Sequence, residues 1–163
     1  MSQVHLHLLI THLPVFGSIL GALVLIHGLW TKTNQTKNAA YFVFILSAIG
    51  AVIAYLTGEP AEEAVEKIQG VLENKIELHE DSALYALNSL IALGGLSVLA
   101  LVINRFKPSL VKSTAITIFI VSLISFALVA RTGYLGGQIR HTEIANNTFQ
   151  NNGFSQEGEK DDD

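Results

Sequence analysis

The strongest constraint on this chain is where its charges are absent. Its apolar residues gather in four blocks, at about residues 13–30, 39–57, 83–104 and 113–130, and nearly every Asp, Glu, Lys and Arg lies outside them. Each block approaches the ~20 residues an α-helix needs to cross a bilayer's hydrocarbon. In that solvent the backbone must satisfy its own hydrogen bonds, so each block predicts a spanning helix. Half of the chain is hydrophobic and only 15% is charged, against about a quarter in soluble domains. The expected fold is therefore all-α: an integral membrane four-helix bundle with up-down topology. Its helices are expected at about 8–30, 39–57, 82–104 and 113–133, in one transmembrane domain over residues 1–141. Residues 142–163 are Asn-rich and acidic, which predicts a disordered tail.

The first block does not read as a cleaved leader. No Lys or Arg precedes it, and it is longer than a leader's apolar core. Pro14 suits the first turn of a helix. Gly17 and Gly21, and later Gly50, Ala51 and Ala54, predict faces where helices approach closely. Between blocks two and three, Val65, Ile68, Leu72 and Ile76 recur every three or four residues within the Glu-rich segment 59–81. That spacing predicts a short amphipathic helix on the membrane surface, and extending the stripe reaches His79.

The loops set the expected orientation. The two tight turns carry Lys32, Lys37, Arg105, Lys107 and Lys112 and no acid, whereas every Asp and Glu belongs to the opposite side. Weighting short loops places both termini outside, in the periplasm of a Gram-negative cell, and the chain in the inner membrane. With no cysteine, disulfides, thiolate ligands and cysteine nucleophiles are excluded. A net charge of −4 carries no nucleic-acid footprint. The Gly136-Gly137 pair lacks the context of a phosphate loop.

Chemistry is expected at the histidines. Up-down helices would place His5, His7, His12, His79 and His141 at one rim and His27 at the other. The first and third helices of a simple bundle are diagonal, so His12 and His79 are expected to face each other across the core, where bundles hold cofactors. Imidazole is a common metal ligand and a haem axial ligand. The candidate set is His12 and His79, with His141 or His7 as further ligands. Arg131 or Arg140 would pair with haem propionates. Glu62, Glu63 and Glu66 are candidates to complete a harder metal site, against the simpler reading of a solvated helix face.

These residues also carry a resemblance. His7, four residues, then His12-Leu13-Pro14 opens the chain; His79 precedes the third block; Thr132-Gly133-Tyr134-Leu135-Gly136-Gly137 and Arg140-His141 close it. In this the chain resembles small bacterial membrane proteins grouped as domain-of-unknown-function 2231, over roughly Val4 to His141. It departs from them at Leu8, Leu13 and Tyr134, where Pro, an aromatic residue and a further His are common. Some members are fused to Rieske-type or cytochrome modules, so the resemblance implies a part in membrane electron transfer. The expected function is a membrane redox protein with haem b or another metal centre at its outer rim. It would exchange electrons between quinone and an outer-side carrier. The alternative is a non-catalytic subunit beside other membrane subunits, with structural zinc or copper, or with no cofactor.

Overall fold

The computed structural model describes residues 3–66 and 71–140, and these are helical almost throughout. The elements are α1 (Gln3–Ile10), α2 (His12–Trp30), α3 (Asn34–Leu56), α4 (Gly58–Glu66), α5 (Glu73–Phe106) and α6 (Val111–Arg140), with a 3-10 turn at Pro108–Leu110 before α6. Four stretches are long and apolar enough to cross a membrane: Val4–Trp30, Asn34–Leu56, Glu73–Phe106 and Pro108–Ile139.

Block one is divided by its own proline. Pro14 has no N–H to give the carbonyl of Ile10, four residues earlier. The chain stays helical at Thr11, with φ −61° and ψ −23°, but α1 ends at Ile10 and α2 begins at His12. Thr57 closes α3, its hydroxyl donating to the carbonyls of Ile53 (2.9 Å) and Ala54 (3.1 Å). Lys107-Pro108 ends α5, because Pro biases the preceding residue away from helix.

The third apolar helix starts earlier than its hydropathy implies. Leu72 is extended, and α5 runs unbroken from Glu73 for 34 residues, about 50 Å. The segment 59–81 is thus divided between α4 and the first turns of α5. Ile68 lies outside the described residues, whereas Ile76 is buried in the bundle. An acid at position 73 suits the positive start of a helix, and nothing between Glu73 and Ala83 breaks one.

Along α2 and α3, Gly17 faces Ser47, Gly21 faces the Phe44 ring and Gly28 faces Lys37, so these two helices are antiparallel and in close contact. The Asn104 amide donates to Asn38 Oδ1 at 2.6 Å, joining the end of α5 to the start of α3. The Ser125 hydroxyl reaches the carbonyl of Ser89 at 3.3 Å, joining α6 to α5. Leu25, Tyr41, Phe44, Leu90, Leu93 and Ile118 fill the core. Buried serines sit among them, and Ser18, Ser47, Ser97 and Ser122 return their hydroxyls to carbonyls of their own helices. Small side chains that satisfy themselves in this way are how helices associate where lipid removes the hydrophobic drive. The outer faces carry Leu20, Leu23, Phe42, Leu46, Ile120 and Ile124, all exposed. In water such a surface would aggregate; in a bilayer it is the face toward lipid.

Candidate functional site: a histidine rim

His7 sits in α1 because that helix continues the first span past Pro14. Its Nδ1 lies 2.9 Å from the carbonyl of Ala54 and 3.3 Å from the Thr57 hydroxyl oxygen. A carbonyl only accepts, so Nδ1 carries a proton, and in the neutral ring Nε2 then keeps its lone pair. His79 repeats this arrangement in the second half of the chain. Its Nδ1 donates to the carbonyl of Thr132 at 3.0 Å. Ser82, one turn further along α5, bonds the Thr132 hydroxyl at 2.8 Å, and that hydroxyl donates to the Leu128 carbonyl. Neither Nε2 has a hydrogen-bond partner among the described residues. His7 lies near enough to His79 to act on it electrostatically.

Gly136 makes room for this geometry. A β-carbon there would stand 2.9 Å from His79 Cε1 and 3.1 Å from its Nδ1. Gly136 therefore belongs to the imidazole's seat.

His12 is placed differently. It is exposed, its Nδ1 bonds the carbonyl of Leu8 at 2.7 Å within its own helical stretch, and its ring stacks on Phe16 at 6.0 Å. Both partners also lie on the exposed face. The expected meeting of His12 and His79 does not occur: α2 turns His12 outward, and the break at Pro14 leaves His7 as the ring that reaches the neighbouring helix. Arg131 is exposed as well. Arg140 is the last residue of α6, and His141 lies outside the described residues. His27 stands at the other end, edge-on to Trp30 at 6.3 Å.

Two carboxyls complete the rim. Glu62 of α4 and Glu80 of α5 are neighbours, near enough for Glu80 to bear on the Glu62 carboxyl by hydrogen bonding and by charge. Partial burial and these two effects of Glu80 push the Glu62 carboxyl up to about 8 from 4.5. Glu80 also acts on His79, so α1, α4 and α5 each bring a titratable group to the rim. The solvated-face reading fits Glu63 and Glu66, both exposed, and fails for Glu62. Beside them the Lys75 ammonium donates to Gln138 Oε1 at 3.0 Å, a further tie from α5 to α6. Among the described residues, no group of three or more His, Asp or Glu side chains is arranged to hold a metal ion.

Sequence reasoning passed over Glu80, and it placed His7 only as a substitute ligand behind His12. One signal was present: His7 precedes Thr57-Gly58 by 50 residues and His79 precedes Thr132-Gly133 by 53. Matching those spacings pairs His79 with His7. For Glu62–Glu80 the signal misled, because the stripe from Val65 to Ile76 predicts one helix where Leu72 is extended and α5 starts anew at Glu73.

These features define a multi-span helical membrane protein with a paired-imidazole, paired-carboxyl rim at one end. The chain belongs to a family described as predicted membrane protein (DUF2231), whose model matches residues 3–145. No curated protein and no solved structure matches it.

Proposed function

We propose that the protein is a membrane-embedded redox protein whose rim holds haem iron or another metal centre through His7 and His79. The observation that carries this reading is that both rings are anchored the same way. Each gives Nδ1–H to a backbone carbonyl of another helix and keeps Nε2 for a further partner. Ligand histidines are oriented in this manner by their second-shell bonds. Their donors suit iron, copper or zinc. A bound iron or copper would supply one-electron exchange. The chain's own residues orient the imidazoles, fix their tautomer, and place the Glu62 carboxyl, raised by burial and by Glu80, beside the same rim. On this reading the electron partners are membrane quinone and a carrier on the histidine side. Any such group is held at the rim, because α2 and α3 are in contact from Gly17 to Gly28.

The same bonds favour a second reading. They join α1 to α3 and α5 to α6, which is what a non-catalytic subunit needs to keep its helix ends together. One experiment separates the two. The detergent-solubilised protein is examined by absorption spectroscopy and elemental analysis, alongside His7→Ala, His79→Ala and His12→Ala. The redox reading expects a Soret band or near-stoichiometric metal that both His7→Ala and His79→Ala remove and His12→Ala spares. A colourless, metal-free protein isolated from cells supplied with haem and metals, with the variants losing only thermal stability, establishes the subunit reading instead.

A further inference from the structure

At the opposite end of the bundle, Lys32, Asn34, Lys37 and Lys112, with Leu29 and Val111, line a cavity of about 310 Å³. We propose that this cavity is a binding site for a phosphate group, supplied either by an anionic lipid headgroup or by free phosphate.

Three observations converge on it. Lys37 is only 6% exposed, and its ammonium meets one partner, the neutral amide oxygen of Asn34, at 3.1 Å. An ammonium has three donors, and burying it without an anion is costly. Among the described residues no acid stands at this end. The chain's acids run from Glu59 to Asp81 and again only from Glu143 onward, and the described ones all belong to α4 and the start of α5. Lys32 and Lys112 add two exposed cations at the mouth, so the cavity concentrates positive charge around a buried member.

The backbone adds to that charge. α3 begins at Asn34 with no side-chain cap on its first turn, and α6 begins at Val111. Both helices turn their positive ends toward the cavity, as at helix termini that bind phosphates. Lys32 holds the turn with φ 56°, a conformation that costs a non-glycine residue energy. Leu29 and Val111 give one wall an apolar surface at the level where the spans end, the depth at which basic pockets meet lipid headgroups.

The test uses the full-length, delipidated protein in neutral detergent. It is titrated separately with phosphatidylglycerol, phosphatidylcholine and inorganic phosphate, with binding read by native mass spectrometry and thermal shift. The expected result is one saturable phosphatidylglycerol or phosphate per chain, in preference to phosphatidylcholine. Affinity should fall about fivefold for each of Lys32→Gln and Lys112→Gln, and about 25-fold for the pair, the worth of a lysine beside an anionic headgroup. Lys37→Gln should abolish binding; if that variant does not fold, the surface pair decides. Phosphatidylglycerol binding that inorganic phosphate cannot displace assigns a lipid ligand, and displacement assigns free phosphate. The proposal is overturned if neither anion binds better than phosphatidylcholine, or if the double variant binds as the parent does.

Discussion

The two ends of the bundle solve the same problem in opposite ways. At the histidine rim, groups brought close together pair with the protein itself: imidazole with carbonyl, carboxyl with carboxyl, Lys75 with Gln138. Near the lysine end the pairing is incomplete. Lys37 has only an amide, and Tyr41 Oη and Asn104 Oδ1 are buried with no partner among the described residues. Buried polar groups are ordinarily satisfied, so these two oxygens are exceptions to a rule that the histidine rim keeps. The contrast also separates two kinds of charge. The rim mixes His, Glu and Lys, whereas the charged side chains described at the lysine end are all basic.

The comparison can be broken most forcefully at the rim. Gly136→Ala drives a methyl against the His79 ring and should destabilise the protein by about 1–3 kcal/mol, the usual result of overpacking. Gly133→Ala, with nothing within 4 Å of its new β-carbon, should be neutral or slightly stabilising in the same thermal unfolding assay. Equal losses at both positions would mean that the ring's seat is not special.

A smaller effect distinguishes the histidines. His79→Ala removes a tie between α5 and α6 and should cost about 1 kcal/mol. His12→Ala, at an exposed site, should stay within about 0.5 kcal/mol. A larger loss at His12 would reverse the roles assigned to the two rings.

Next comes pH. In the folded protein Glu62 holds its proton to about 8, while the unfolded chain releases it near 4.5. The native state therefore binds the extra proton between those values. The stabilisation is fully present below 4.5 and is lost as pH rises toward 8. Glu62 is only partly buried, so the slope is modest. Melting temperature against pH should fall across that window in the parent and flatten in Glu62→Gln; an unchanged slope would remove the Glu62 proton from the account.

The smallest effect is expected at the lysine end. In lipid-free detergent, Lys32→Gln and Lys112→Gln should each shift stability by no more than about 0.5 kcal/mol. Their weight falls on ligand binding, so a large loss in the unliganded protein would make these lysines structural.

Much of the architecture could be read from residue order, because a bilayer imposes a one-dimensional rule. A segment of the right length without charge must be helical, and the four blocks obey this. The boundaries were less legible. Hydropathy reports where lipid begins, and α5 continues for several polar turns beyond that level because its backbone bonds are as good in water as in oil. The site was legible only as composition at one end. Which histidine turns inward depends on helix rotation, and α1 and α2 are apolar on nearly all sides, so no amphipathic stripe marks the inner face. His7 and His12 both precede the same apolar block; the interrupted ladder at Pro14 and the contact with Thr57 select His7.

Charge and hydropathy along the chain were therefore enough to define the spans, the placement of acids at one end and lysines at the other, and the gathering of imidazoles, since each depends only on local transfer energies. The carbonyls that hold His7 and His79, the carboxyl beside Glu62 and the amide that Lys37 meets were decided by packing between helices and turns. For the two histidines those choices turn on distances of about 3 Å between partners 50 and 53 residues apart in the chain, and no local energy carries that information.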